Sequence, residues 1–169
     1  MDANSLLDYL SQYGIVFIFI IILLEYLNLP GLPAGIIMPV AGLWVSRGNM
    51  NFLIVVILSV VAGLIGSWCL YFLGFYGGNF LLEKYTTKFP KQKQYIENKL
   101  EYLRSKGGKG VFISRLIPVA RTIIAIPAGV LKMNFLKFTV YSAMGIFIWN
   151  IVFISVGYIL GEGILKYIT

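Results

Sequence analysis

Apolar residues fill this chain in long blocks, and the interruptions between blocks carry most of the information. Residues 14–29 are almost wholly apolar, from Gly14 through Phe17 and Ile20 to Leu24, with one charge, Glu25, near the end. This predicts a membrane helix near the lower length limit. Ahead of it, Asn4 is a candidate N-cap, and Leu6, Leu10 and Tyr13 share one helical face, so residues 1–13 are read as a short interfacial helix. Residues 30–47 are also hydrophobic, but they hold Pro30, Pro33 and Pro39 together with Gly31, Gly35 and Gly42. An interior proline removes a backbone hydrogen bond and clashes with the preceding turn, which argues against a straight spanning helix. Two arms of about eight residues would each reach roughly 12 Å, close to half of a hydrocarbon layer of about 30 Å. The pattern therefore predicts a re-entrant hairpin, a form confined to protein-buried or cavity-lining positions. A kinked spanning helix is the alternative.

Residues 51–76 form the strongest spanning helix, with Asn51 as a candidate cap and Gly63, Gly66, Gly74 and Gly78 as candidate points of close helix contact. The one strongly polar block, 83–109, sets eight Lys and Arg against Glu83, Glu97 and Glu101. Beyond Pro90, residues Ile96, Leu100 and Leu103 recur at helical spacing, which predicts an amphipathic surface helix. Residues 110–131 are broken again, with Arg115, Pro118, Arg121, Pro127, Ala128 and Gly129 among Val, Ile and Leu, and predict a second hairpin. Residues 135–160 make a last membrane helix containing Trp149, with Gly157 and Gly161 at its end.

The expected fold is a single domain, all-α and integral to the membrane. It consists of two re-entrant hairpins, each followed by a spanning helix, plus the basic helix. The positive-inside rule puts 83–109 in the cytoplasm. The first hairpin then opens outward and the second inward, so the halves form an inverted repeat. Interrupted segments in matching positions of such repeats point to a transport site near the midplane.

Composition strengthens this reading. The 169 residues are 59% hydrophobic and 12% charged, with a mean hydropathy of +0.83. A soluble domain of this size could not cover that surface, and a disordered chain would need the opposite balance. The net charge of +7 does not make a nucleic-acid module, because positive flanks are the default for membrane proteins. The chain has no histidine and one cysteine, Cys69 in an apolar run. That excludes imidazole chemistry and an intrachain disulfide, and no metal or cofactor is implied. Asp2 and Asp8, with no Lys or Arg before the first apolar run, do not match a secretory signal.

Glu25, Arg115 and Arg121 are the ionisable residues in apolar surroundings. Insertion scales charge about 2.5–3.5 kcal/mol for such a residue at the bilayer centre. Two arginines and one carboxylate leave an excess positive charge that an anion would complete. The planar guanidinium fork bonds phosphate oxygens in pairs and stays protonated. Pro118 breaks the segment between Arg115 and Arg121, so a turn could bring both to one ligand. The competing reading has the arginines snorkelling to lipid headgroups. Glu25 can be a counter-ion, or a proton carrier whose pKa desolvation raises.

The run Phe112-Ile113-Ser114-Arg115-Leu116-Ile117-Pro118-Val119-Ala120-Arg121, followed by Ala128-Gly129, Met133, Phe138, Gly145 and Trp149, resembles the signature of the DedA family (the VTT or SNARE-associated domain). Gly66, Tyr71, Gly74 and Gly78 resemble its glycine-tyrosine motif, and Glu25 falls where the family carries its first membrane glutamate. The resemblance covers nearly the whole chain. It implies a multi-pass protein of the cytoplasmic membrane with two facing hairpins, and a flippase for a lipid phosphate such as undecaprenyl phosphate. By that resemblance Arg115 and Arg121 hold the phosphate, Glu25 couples protons, and Pro30, Pro33, Gly35, Pro118, Pro127 and Gly129 shape the hairpin backbone. The first hairpin reads Pro33-Ala34-Gly35 where an acidic residue usually follows Pro-Gly. Ser67 and Phe75 stand where aspartate and arginine are frequent. The partners implied are a polyprenyl phosphate or an anionic phospholipid, and the small buried residues permit a homodimer. Three other functions remain distinct expectations: a proton-coupled small-ion carrier centred on Glu25, a lipid-phosphate enzyme, and a lipid-binding scaffold using the basic helix.

Overall fold

Helices make up all the regular structure among the described residues, which in this computed structural model are 3–27, 36–47, 51–88 and 90–168. Pro30, Pro33 and Gly35 of the first broken segment lie outside them. The order is α1 Ala3–Tyr26, α2 Ile37–Arg47, α3 Phe52–Lys88, α4 Pro90–Arg115, α5 Pro118–Ile123, α6 Ala125–Val130 and α7 Phe135–Ile168.

Three boundaries differ from the sequence expectation. The segments 1–13 and 14–29 are one continuous helix through Tyr26, because no proline interrupts the ladder where polar residues give way to apolar ones. The basic block 83–109 is not one helix. Its first residues extend α3 to Lys88, and α4 starts at Pro90, where the missing N–H and fixed φ suit a first helical turn. The polar-to-apolar change at residue 110 is no helix end either, since α4 runs on to Arg115.

Both long polar arms bend at a glycine. Gly78 has φ 49° and ψ −142°, and Gly107 has φ 54° and ψ −133°. An L side chain resists that backbone region, and glycine enters it without penalty. Gly78 is thus a bend rather than the packing contact that its spacing suggested.

Asn51 caps α3, its Oδ1 accepting from Leu53 N–H at 2.9 Å. Asn134 caps α7 in the same way, accepting from Lys137 N–H at 3.0 Å. The tetrapeptide Met50-Asn51-Phe52-Leu53 recurs as Met133-Asn134-Phe135-Leu136, and in both copies the asparagine caps a long apolar helix.

The chain divides into two units, residues 1–63 with 147–169 and residues 64–146. In unit 1, Ile22, Met38, Val45, Val55, Val56 and Ile154 are buried. There α2 lies against α7 with no room for side chains. A Cβ on Gly42 would sit 2.0 Å from Ile154 O, and one on Gly157 would sit 1.9 Å from Pro39 O. In unit 2 the core is Tyr71, Leu103, Val111, Ile124, Ala125, Ala128 and Phe138. There α6 lies equally close to α3: a Cβ on Gly74 would be 2.3 Å from Ile126 O, and one on Gly129 would be 2.0 Å from Tyr71 O. Tyr71 Oη also donates to Met133 O, which ties the turn after α6 to α3.

Large apolar side chains face outward on every long helix of the apolar part, among them Phe17, Leu53, Ile57, Leu73, Leu136, Met144 and Ile159. Water would not tolerate so much exposed hydrocarbon. Two stretches, Phe52–Gly78 and Phe135–Gly161, have 27 residues each and are long and apolar enough to cross a bilayer. At 1.5 Å per residue each reaches roughly 40 Å.

Candidate functional site

The second broken segment holds the arginines. α4 ends at Arg115 in a tight turn, with Leu116 N–H donating to Ile113 O at 3.1 Å and Ile117 N–H to Ser114 O at 3.3 Å. Ile117 is extended (φ −110°, ψ 124°) because it precedes Pro118, and Pro118 opens α5. The chain therefore breaks between the two arginines where the sequence puts the proline, and helical spacing does not govern their separation.

Arg115 bridges that break. Its Nη1 donates to the backbone O of Arg121 at 2.7 Å, and its Nη2 donates to Ser142 Oγ on α7 at 3.2 Å. The guanidinium carbon lies 5.8 Å from the centre of the Phe138 ring. These contacts use two of the five guanidinium donors and fix the plane of the fork. Gly145 makes the room: a Cβ there would fall 2.5 Å from Arg115 Cβ. Arg115 and Arg121 are 2% and 1% exposed, so neither snorkels to the surface. Ser114, beside Arg115, is buried as well, and its Oγ has no hydrogen-bond partner among the described residues. Pro127 and Gly129 are buried in α6, where Gly129 sets the approach to α3.

Glu25 belongs to unit 1 and is 3% exposed. Its neighbour Tyr26 starts a buried chain of neutral polar groups. Tyr26 Oη donates to Asn150 Oδ1 at 2.9 Å, Asn150 Nδ2 donates to Ser59 Oγ at 3.0 Å, and Ser59 Oγ donates to Val56 O at 2.7 Å. This chain joins α1, α3 and α7. Sequence reading passed over Ser59, Ser142 and Asn150. The available signal was a polar residue inside an apolar span, which is costly unless it is bonded or functional.

The buried acidic and basic side chains among the described residues are Glu25, Arg115 and Arg121, one carboxyl and two guanidinium groups. With lipid-compatible outer faces and a broken segment carrying fixed cations, the chain is a helical integral membrane protein with a candidate anion site. Comparison with known proteins makes this more specific. A family model described as the VTT domain matches residues 32–159, and the chain belongs to that family, the DedA family. It is 34% identical over 159 residues to the undecaprenyl phosphate transporter A of Bacillus subtilis (strain 168), covering 94% of this chain and 78% of that protein. It is also 34% identical over 159 residues to the undecaprenyl phosphate transporter A of Staphylococcus aureus (strain NCTC 8325 / PS 47), covering 92% and 78%. A protein of Lactococcus lactis subsp. cremoris (strain MG1363) named alkaline phosphatase-like is 26% identical over 162 residues, covering 93% and 75%. No solved structure matches the chain.

Proposed function

We propose that this protein moves a polyprenyl phosphate, in the manner of undecaprenyl phosphate, between the leaflets of the cytoplasmic membrane, with Arg115 and Arg121 receiving the phosphate. The observation that carries the proposal is the state of Arg115: a buried guanidinium whose plane is set by the Arg121 carbonyl and Ser142. A fork held in place before its ligand arrives is a preorganised anion receptor, and the low dielectric around it strengthens each charge-assisted bond. The names of the two transporter relatives support the choice of ligand. A polyprenyl tail can stay in lipid while only the head follows a polar path.

In this reading the segments 30–47 and 110–131 are re-entrant, the halves are inverted, and the basic block is cytoplasmic. The matching caps and matching glycine contacts of the two units support the repeat. Glu25, a carboxyl only 3% exposed in α1, couples protons by taking one up on one side and releasing it on the other. Transport is preferred over hydrolysis of the phosphate ester because the sequence offers no histidine for phosphoryl or metal chemistry.

The test is transport of labelled polyprenyl phosphate in reconstituted vesicles. Arg115→Ala should lower the rate about 100-fold, as expected for losing two charge-assisted bonds to an oxyanion. Arg121→Ala should do the same, and Arg115→Lys should recover only part. Glu25→Gln should keep binding and abolish the dependence of the rate on a proton gradient. Wild-type rates in both arginine variants would overturn the proposal.

A further inference from the structure

The turn that ends α6 carries an unusual residue. Met133 N–H donates to Ala128 O at 3.1 Å and Lys132 N–H to Gly129 O at 2.8 Å, the two bonds of a Schellman cap. The position just past such a cap is left-handed and is usually glycine. Here it is Lys132, with φ 50°. It is the non-glycine residue with positive φ among the described residues.

Lys132 lines a cleft of about 470 Å³. α4 supplies Leu103, Arg104 and Gly107 to it, and the turn supplies Leu131 and Met133 besides Lys132. Arg104 and Lys132 are both exposed, and among the described residues no carboxylate lines the cleft. Lys132 Nζ lies 6.0 Å from the centre of the Phe75 ring, a cation–π distance. Leu103 is buried at the base. Each side of the cleft thus carries one cation beside hydrocarbon: Arg104 with Leu103 on α4, and Lys132 with Leu131 and Met133 on the turn. Gly107 stands eight positions before Arg115 along α4, roughly 12 Å at helical rise, so this is a separate place from the buried arginines.

We infer that the cleft beside Lys132 binds the phosphate-bearing headgroup of an anionic membrane lipid. Arg104 and Lys132 pair with the phosphate, and Leu103, Leu131 and Met133 meet the first carbons of the tail. A free anion would use the cations and leave the apolar wall wet. An amphiphile uses both. Basic residues at a membrane surface attract such lipids, and the left-handed turn aims a lysine where glycine would leave the wall uncharged. The inference does not rest on the transport reading.

The experiment uses the full chain in phosphatidylcholine nanodiscs doped with phosphatidic acid, with retained phosphatidic acid counted by native mass spectrometry. Replacing Arg104 by Gln and Lys132 by Gly together should weaken retention roughly fivefold for each cation removed. Lys132→Gly gives the turn the residue its backbone favours, so the melting temperature should be unchanged or raised and misfolding cannot explain the loss. Lys109→Gln, which removes an exposed cation that does not line the cleft, should leave retention intact, and excess inorganic phosphate should not displace the lipid. Retention within twofold of wild type in the double variant would overturn the inference. So would an equal loss in Lys109→Gln, which would make retention a matter of net charge alone, or full displacement by inorganic phosphate, which would make the cleft a free-anion site.

Discussion

Units 1 and 2 use the same packing device for different contents. In unit 1 a backbone contact joins Gly42 of α2 to Ile154 of α7, and a second joins Gly157 of α7 to Pro39 of α2. In unit 2 the contacts join Gly74 of α3 to Ile126 of α6, and Gly129 of α6 to Tyr71 of α3. Each pair crosses with the same spacing of three, and each sets a helix from a broken segment against a spanning helix. The buried polar groups diverge. Unit 1 encloses a neutral chain, Tyr26 to Asn150 to Ser59, that ends on a backbone carbonyl, beside one carboxylate. Unit 2 encloses two cations, one of them braced by a carbonyl and a hydroxyl. The two units share a packing device, and their buried polar groups differ in charge.

The largest effect should come from the shared device. Gly129→Ala and Gly157→Ala would each push a methyl group to within about 2 Å of a backbone carbonyl, and each should destabilise the protein by about 3 kcal/mol, at the upper end of overpacking costs. Thermal unfolding in detergent checks this, and a harmless result at one site alone would break the equivalence of the units. The next contrast separates their contents. Asn150→Ala removes two hydrogen bonds and should cost about 1–2 kcal/mol of stability, with transport per folded molecule within about twofold. Ser142→Ala leaves a buried guanidinium N–H without that acceptor, at about 1–3 kcal/mol of stability, and should slow transport per folded molecule by about threefold to tenfold, because it frees one edge of the Arg115 fork. Identical behaviour of the two variants would mean that both networks are only structural. The smallest effect belongs to the bends. Gly78→Ala and Gly107→Ala force a side chain into left-handed backbone, at about 1–2 kcal/mol each. Open space surrounds both sites, so chemical denaturation should report that strain with no contribution from crowding.

Much of this was legible in the residues. The break at Pro118, the flanking arginines and the two spanning helices follow from proline geometry and apolar run length, which are local properties. The bend at Gly107 was not, because a glycine among polar residues has many uses and its φ depends on where the chain goes next. The bonds of Ser142 and Asn150 were hidden for a different reason: their partners are 27 and 91 residues away in sequence. The repeated Met-Asn-Phe-Leu was readable, yet it became informative only once both copies proved to open a spanning helix.

Unit 2 is one continuous stretch of chain, and unit 1 is assembled from the two ends. During synthesis, therefore, α2 leaves the ribosome long before the part of α7 it must clasp has been made. Roughly 110 residues separate Gly42 from Ile154, and at about 5–20 residues per second the wait is on the order of ten seconds. Throughout that interval the middle of the protein can finish folding while the N-terminal helices sit in the insertion machinery or in lipid without their mate. The synthesis of α7 completes unit 1, and truncations within residues 147–169 should strand α1 and α2 rather than unit 2.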